Sequence, residues 1–350
     1  MKKFLFCLLS LVTAFALALA GCGGSTPLSF SSAFSGQDED PSSYKEVAVY
    51  NVNYVADYNG LKKENVLNNY VYFEFTNGTY TTVLETIDRN TLTQENIESD
   101  ILDDLTINSD TIYKYTTTFT IDAKYEVFDK QATYNFSDSI VTETYFCSYR
   151  MSYAPIYTKT TNNYSSLTVS GGVADVPFGA SVCQTFYNKN SFRTIKEYYP
   201  TLPADENFLL DREEYTQEYD YKTAIDNTQL LFAIRNIAVN EEQTDYLPTI
   251  SYQYTSAKTL HLTNTNFSTE KLDFTYNGQQ VNKDITLRNY SISLSNGNNS
   301  GLPHFASVMK EKTETVGQVL LTSYTQPLIC YGAMYCMGAL HFTLSSFTTL

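Results

Sequence analysis

Apolar and polar residues alternate along most of the chain beyond residue 44. Over residues 48–56 every second position is apolar or aromatic, which is the period of a strand with one buried face. The same alternation marks further strands over 70–75, 79–87, 112–128, 132–136, 140–150, 260–262 and 290–294. Repeated runs of this kind predict a protein that is mainly β.

Asn-Gly pairs and short polar breaks predict where these strands turn. Asn77-Gly78 and Asn277-Gly278 each follow an alternating run, and both residue types tolerate the positive φ that a tight hairpin requires. Asp129-Lys130 and Ser137-Asp138 lie between other runs and predict further breaks. Short connections of this kind favour antiparallel neighbours, because parallel strands need a long crossover.

Residues 226–238 have helical rather than strand spacing. Leu230 and Ile234 lie one turn apart on an apolar face, and Asp226 is a suitable N-cap. We therefore expect a helix that packs Leu230 and Ile234 under a sheet and leaves Gln229 exposed.

A weaker helical pattern occupies residues 93–105. Ile97 and Ile101 share one face there, and Thr93 can cap the first turn. The sequence predicts a short acidic surface helix in this segment.

These elements indicate a mainly β fold of the α+β class. We expect a long twisted antiparallel sheet, or more than one, packed on one helix and able to curl into a half-barrel-like form. Pro200 and Pro203 predict a boundary between a β-rich lobe at 44–200 and a second β-rich lobe at 201–350, with the helix near 226–238. The apolar stretch 328–340 is too short to span a bilayer and predicts buried strands.

The first 21 residues do not share this alternation. Lys2 and Lys3 precede an uncharged apolar run over 4–18, as in a secretory signal peptide. An uncleaved N-terminal membrane anchor is the alternative interpretation.

Leu19-Ala20-Gly21-Cys22 resembles the lipobox of bacterial lipoproteins. The resemblance implies that residues 1–21 are removed and that Cys22 carries the lipid, with palmitate among its acyl chains.

The lipid would hold the protein on the extracytoplasmic face of the cell membrane. Two acyl chains anchor a protein stably, whereas one holds it only marginally. Residues 22–43 begin with the lipidated cysteine and continue as a flexible linker rich in Gly, Ser and Pro, with a root-mean-square span of about 25 Å.

Charge excludes several other partners. Without Lys2 and Lys3 the 23 basic residues fall to 21 against 38 acidic ones, which gives a net charge of −17. Such a chain repels nucleic acid phosphates and anionic lipid head groups. Nucleic acid is therefore not an expected partner, and the membrane is reached through the lipid on Cys22.

Two segments of the last third of the chain resemble other proteins. Residues 225–235, together with Pro327-Leu328 and 340–344, are similar to uncharacterised β-rich lipoproteins of Gram-positive bacteria. The expected architecture is similar to the half-barrels of the LolA/LolB lipoprotein carriers. Neither resemblance implies an activity, because the shared features are structural.

Four cysteines remain once Cys7 leaves with the signal and Cys22 is lipidated. Cys147, Cys183, Cys330 and Cys336 are candidates for disulfides and allow three full pairings. Cys330 and Cys336 flank a predicted hairpin tip that can place them opposite each other. The alternative is that all four are buried thiols. No Cys-x-x-Cys pair supports a redox motif, and no zinc-ligand spacing is present.

Residues that carry catalytic chemistry are sparse. His261, His304 and His341 are scattered without metal-ligand spacing. The sequence contains neither a Gly-x-Ser-x-Gly elbow nor a phosphate-binding loop. We therefore assign no catalytic residue, no metal site and no cofactor.

Carboxylates provide the one route to catalysis that remains. Glu213 and Glu214 are adjacent, so on a strand they point to opposite faces. Acids such as Glu74 and Glu85 could be brought together by the fold, as in a glycosidase.

The 30 tyrosines and 21 phenylalanines suggest a binding role. A row of them on a concave sheet could bind an apolar, peptide or glycan ligand. The alternative is that the rings fill the core.

We predict a membrane-anchored extracytoplasmic lipoprotein that acts as a non-catalytic binding or envelope-associated module. The alternative function is a cell-wall-active hydrolase with a carboxylate pair assembled by the fold. A solute receptor is a weaker option, because repeated βαβ units are missing.

Overall fold

A computed structural model describes most of the predicted body of the protein. The described residues are 43–55, 71–103, 111–127, 132–149, 152–163, 179–200, 208–220, 224–236, 244–250, 258–294, 303–309, 320–327 and 339–350. Predictions that fall on other residues, such as the turn at Asp129-Lys130 and the strands over 328–338, lie outside these ranges.

Strands dominate the described residues, and the prediction of a mainly β fold is confirmed. The strands are β1 (Lys45–Val55), β2 (Val71–Asp88), β3 (Thr111–Val127), β4 (Ala132–Tyr149), β5 (Ser152–Asn163), β6 (Ala180–Tyr187), β7 (Ser191–Tyr199), β8 (Asp211–Glu218), β9 (Ile225–Asp226), β10 (Thr244–Ile250), β11 (Lys258–Tyr276), β12 (Gln279–Leu294), β13 (Phe305–Met309), β14 (Leu320–Pro327) and β15 (Ala339–Thr349). A short helix α1 (Asn90–Gln94) and a 3₁₀ turn (Asp100–Asp103) follow β2.

The helical segment, as we call residues 227–236, follows β9. It consists of a 3₁₀ turn (Asn227–Gln229), the α-helical turn α2 (Leu230–Ala233) and a second 3₁₀ turn (Ile234–Asn236). The predicted helix therefore exists, although only its central turn is α-helical, and residues 237 and 238 lie outside the described ranges.

All fifteen described strands belong to one sheet. Its order is β8-β7-β6-β5-β4-β3-β2-β1-β15-β14-β13-β12-β11-β10-β9, and neighbours are antiparallel except for the parallel pair β9–β10. The first strand pairs with the last along ten residues of β1, so the two halves of the chain meet between β1 and β15.

The second half of the sheet closes on itself. Thr275 and Tyr276 of β11 pair with Ser346 and Phe347 of β15. Strand β14 pairs with the same edge of β15, over the earlier residues 339–343. Strands β11 to β15 therefore form a five-stranded ring, and β1 to β8 extend from it as a long antiparallel meander.

Predicted burial on the helical segment is confirmed for its apolar residues. The side chains of Leu230 and Ile234 are fully buried. Phe232 packs on Phe146 and Tyr153, with ring centroids 5.4 and 5.0 Å away. The segment thus lies against the inner face of β4 and β5, and the prediction of a sheet packed on one helix is confirmed.

The expectation for Gln229 is wrong. Asp226 and Gln229 form a capping box, in which the Gln229 side chain accepts a hydrogen bond from the Asp226 backbone N–H at 2.8 Å. The Gln229 amide also donates to the Tyr153 carbonyl at 3.3 Å, and the residue is fully buried. Periodicity alone missed this, because the residue that completes a capping box turns back toward the N-cap.

The two Asn-Gly pairs have different structures. At Asn277-Gly278 both residues have positive φ, 46° and 79°, and they join β11 to β12 as predicted. At Asn77-Gly78 the predicted hairpin is wrong, because β2 runs through the pair with an irregularity between Phe75 and Asn77. A Cβ on Gly78 would lie 2.8 Å from the Phe75 ring, so this glycine makes room for a side chain instead of a turn.

Two other local predictions are wrong in similar ways. Strand β4 continues through Ser137-Asp138, where the Ser137 hydroxyl donates to Asp122 on β3 at 2.5 Å. Helix α1 begins at Asn90, ahead of the predicted cap Thr93, and the Asn90 N–H is bound by the Asp88 side chain.

The division into two lobes stays a prediction. Residues 201–207, which include Pro203, lie outside the described ranges. Strand β8 follows the predicted boundary and pairs with β7, which precedes it.

Candidate functional site

The predicted lipid and disulfide sites are only partly described by the structure. Cys22 precedes the described residues, and Cys330 and Cys336 fall in the gap at 328–338. Lipidation of Cys22 therefore stays a prediction, and Cys330 and Cys336 stay candidates for a disulfide.

Cys147 and Cys183 are buried thiols on β4 and β6. On the intervening β5, Cys147 lies opposite Ala154 and Cys183 opposite Thr160. Six residues of strand separate these positions by about 20 Å, far beyond the roughly 7 Å between Cα atoms that a disulfide allows. The two do not bond to each other, and burial raises the pKa of each thiol to about 12.

The three histidines lie on or beside different strands of the sheet. His304 and His341 are exposed, and the Thr325 hydroxyl is 3.2 Å from His341 Nδ1. His261 lies on β11, opposite Ser293 of β12. Within the described ranges no group of three His, Cys, Asp or Glu side chains could hold a metal ion.

The carboxylates named from the sequence do not form a catalytic pair. Glu74 and Glu85 both belong to β2, eleven residues apart, so about 36 Å of strand separates them. The side chain of Glu85 binds Lys45 at 2.9 Å. Glu213 lies 3.7 Å from Lys196, and Glu214 lies 2.9 Å from Arg212, so these two acids of β8 contact cations.

The aromatic residues that suggested a binding face lie in the core. Tyr50, Tyr80 and Tyr324 are at most 8% exposed. Tyr324 stacks on Phe342 with centroids 4.2 Å apart and an interplanar angle of 4°. Burial raises the pKa of all three phenols, so they remain protonated at neutral pH. These rings fill the space between strands.

A buried ion pair joins the helical segment to the first strand. Both terminal nitrogens of Arg235 donate to the Glu46 carboxylate, and the side chains are 6% and 1% exposed. The Tyr44 hydroxyl donates to the same carboxylate at 2.8 Å, and Arg235 also lies over the Phe232 ring. With the Glu46 oxygens and the terminal nitrogens of Arg235 bonded to each other in the interior, this pair anchors the segment to β1.

A second buried polar group lies at the start of the helical segment. Asp226 accepts hydrogen bonds from the Thr228 N–H at 2.8 Å and from the Tyr187 hydroxyl. Burial raises the pKa of the Asp226 carboxyl above its usual 3.8, against the lowering effect of these bonds. The raised pKa therefore reflects the burial of this carboxylate at the start of the helical segment, where it caps the first turn.

A surface groove of about 500 Å³ follows β2. Its lining includes Arg89, Leu92, Leu102 and Asp100. The Asp100 carboxylate accepts a bond from the Lys189 N–H at 2.7 Å, and Asp103 lies 3.5 Å from Arg89. Two of the three acids that line the groove are therefore engaged in structural contacts.

The most distinctive surface lies at the outer edge of the sheet. Phe208, Leu209 and Leu210 are 62%, 39% and 53% exposed, and they are three of the five large apolar side chains exposed in the described residues. They immediately precede β8, and the Leu210 N–H donates a hydrogen bond to the Tyr198 carbonyl of β7 at 2.9 Å. We call these three residues the apolar triplet.

Among the described strands, β8 is the last one on this side of the sheet. Seven of its eight side chains are polar and exposed, whereas Tyr215 packs inward on Phe192 with ring centroids 6.4 Å apart. The opposite edge is closed, because Ile225 and Asp226 of β9 are buried. Sequence reasoning missed the triplet, although three consecutive apolar residues before a charged run are a visible signal of an exposed patch.

Comparisons with known proteins are sparse. No protein-family profile matches the chain, and no curated protein matches it. A solved structure, titled "Crystal Structure of Beta-barrel-like Protein of Domain of Unknown Function DUF1849 from Brucella abortus", is similar over 88% of this chain and 98% of its own, with 9% identity and a TM-score of 0.43. None of the described helices is long and apolar enough to cross a membrane.

Proposed function

We propose that this chain is a non-catalytic module, held outside the cytoplasm by lipid on Cys22, that binds a protein partner through the outer edge of its sheet. The observation that supports binding is the apolar triplet. Phe208, Leu209 and Leu210 are adjacent in sequence and exposed together at a sheet edge. Clustered apolar exposure of this kind marks interaction surfaces, whereas single exposed apolar residues need no explanation.

A binding role at the edge fits better than one inside the sheet. Many of the described Tyr and Phe rings pack against one another in the core. An exposed edge strand instead offers backbone donors and acceptors to an incoming chain.

The alternative of a wall-active hydrolase has less support. It needs two acids facing each other across a cleft. Glu213 and Glu214 contact cations at the surface, and Asp226 caps a buried turn. These acids are therefore engaged in structural contacts.

The proposed location rests on the lipobox and on charge. Leu19-Ala20-Gly21-Cys22 has the residue types of a lipidation site, and the mature chain, at −17, cannot adhere to anionic lipid by charge. A lipid on Cys22 and the linker up to residue 43 would present the sheet at the membrane surface.

In-cell photocrosslinking tests the proposal. A photoreactive amino acid replaces Leu209 in the full chain, and the matched control replaces Asn282, an exposed polar residue of β12. We expect a discrete protein adduct from position 209 and none from position 282. No adduct from position 209, or the same adducts from both positions, would contradict binding at this edge.

A further inference from the structure

We infer that β8 receives an extended, basic segment of the protein partner as an added strand. This inference rests on the proposed function and specifies the mode of binding and the chemistry of the partner. Three features of the edge support it: the direction of its backbone groups, its charge and the position of the apolar triplet.

The backbone of β8 has donors and acceptors directed outward. The Tyr219 N–H donates to the Asn190 carbonyl at 3.1 Å, in register with the β7–β8 pairing. In an antiparallel ladder the inward-bonding residues alternate, so the N–H and C=O groups of Glu214, Thr216 and Glu218 point away from β7. These residues repeat every second position, about 6.6 Å apart, which matches the spacing of an added strand.

The side chains of β8 favour a basic partner. The strand contains four acidic residues and one basic residue, Arg212. Lys196, Arg193 and Arg212 contact Glu213 and Glu214, while the remaining acids, Asp211 and Glu218, are exposed at the two ends of the strand. A second copy of this chain would place these acids opposite the same acids, and like charges on facing strands are destabilising. A basic segment would be attracted to the acidic side chains of β8 and would associate with the strand faster.

The apolar triplet adds an anchor at one end. Phe208 and Leu210 lie immediately before Asp211, so an added strand that runs along β8 reaches them without a turn. Apolar side chains at that end of the partner would bury the triplet, and the basic side chains would lie along the acidic strand. The partner is therefore expected to combine alternating basic residues with an apolar terminus.

A peptide-binding measurement tests this mode on the full-length protein in detergent. The probe is a fluorescein-labelled peptide of four Lys-Val repeats followed by Leu-Phe, and the control peptide has Glu in place of Lys. We expect binding of the lysine peptide by fluorescence anisotropy, with affinity falling as salt rises, and at least tenfold weaker binding of the glutamate peptide.

Backbone variants separate strand addition from simple charge attraction. Thr216→Pro removes one outward N–H without removing a bond to β7, and proline is tolerated on that side of an edge strand. We expect Thr216→Pro to weaken binding at least tenfold and its control Thr216→Ala to stay within about twofold. A lysine peptide with N-methylated valines tests the same bonds from the partner's side, with the protein unchanged, and should bind at least tenfold more weakly.

The outcomes distinguish this inference from the proposed function. Equal affinity for the methylated peptide, equal affinity for the glutamate peptide, or no binding of the lysine peptide would overturn strand addition by a basic segment. If the crosslink from position 209 is present in any of these cases, binding at the edge stands and only its mode is wrong. If the crosslink is also absent, both proposals fall.

Discussion

Buried polar side chains hold the helical segment at both of its ends. Gln229 is fully buried and bonds the Asp226 N–H and the Tyr153 carbonyl, while Arg235 and Glu46 form the enclosed ion pair at the other end. Apolar spacing could predict that Leu230 and Ile234 are inside. It could not predict these polar residues, because their burial depends on partners distant in sequence.

Gln229→Ala is expected to lower the free energy of unfolding by about 1–3 kcal/mol, because it leaves buried backbone groups without their bonds. Leu230→Ala should cost about 2–5 kcal/mol through lost methyl groups and a cavity. Exposed Gln94 provides the control, and Gln94→Ala should stay within about 0.5 kcal/mol. Urea denaturation measures all three. A Gln229 variant as stable as the Gln94 variant would contradict the capping box.

Asp226 should make stability fall as pH rises. Its pKa is raised by burial in the folded protein, so above about pH 3.8 the unfolded chain loses a proton that the folded chain retains. This group therefore lowers the unfolding free energy progressively up to the folded pKa, and the effect is constant above it.

Asp226→Asn is neutral in both states and should remove that decline. Urea denaturation from pH 4 to 8 should show the stability of the variant rising relative to the unmodified protein over this window. Asp284→Asn, at an exposed position, should not change the slope in this way. Parallel pH curves for Asp226→Asn and the unmodified protein would show that burial does not shift this carboxyl.

Reactivity toward iodoacetamide should distinguish Cys147 and Cys183 from Cys330 and Cys336. Burial and a pKa of about 12 make Cys147 and Cys183 unreactive toward iodoacetamide at pH 8 in the folded protein. Both should be labelled after unfolding in urea without reductant. Cys330 and Cys336, if paired as predicted, should be labelled only after unfolding and reduction. Mass spectrometry of peptides assigns each site, and rapid labelling of Cys147 or Cys183 in the native state would contradict their burial.

Strand positions could be predicted from the sequence better than the connections between them. Alternation identified β1, β3 and most of β4, because one face of each is buried in the core. It could not tell a turn from a continuous strand at Asn77-Gly78 or Ser137-Asp138, since packing against Phe75 and a bond to Asp122 decide those positions. The candidate site was missed for the same reason: whether the apolar triplet is covered depends on the position of β8 in the sheet.

Alanine substitution at the two Asn-Gly glycines should destabilise the protein for different reasons. Gly78→Ala places a Cβ against the Phe75 ring, and overpacking of this kind typically costs about 1–3 kcal/mol. Gly278→Ala meets no atom but forces alanine to a φ of +79°, at about 1–2 kcal/mol. Adding Phe75→Leu should recover part of the loss at Gly78 and none at Gly278. Urea denaturation of each glycine variant, with and without Phe75→Leu, measures this recovery of stability. Equal recovery at both sites would contradict the close approach of Gly78 to the Phe75 ring.

The proposed membrane location depends on Cys22, which precedes the described residues. Cys22→Ala should abolish incorporation of alkyne-labelled palmitate and release the protein from the membrane fraction, because the anionic body has no charge-based attachment. Cys7→Ala, within the predicted signal, is the matched control and should leave both unchanged. Palmitate labelling that persists in the Cys22 variant would refute the lipobox.

The pairing of β1 with β15 has a kinetic consequence. Ten positions of the first strand are bonded to the final eleven-residue strand, and the Leu350 N–H bonds the Lys45 carbonyl at 2.8 Å. Synthesis runs from the N-terminus, so one edge of β1 lacks its partner until β15 has left the ribosome, and contacts between strands so distant in sequence are slow to form. The nascent chain would therefore expose the unpaired edge of β1 until then, and such an edge can pair with the strands of other chains.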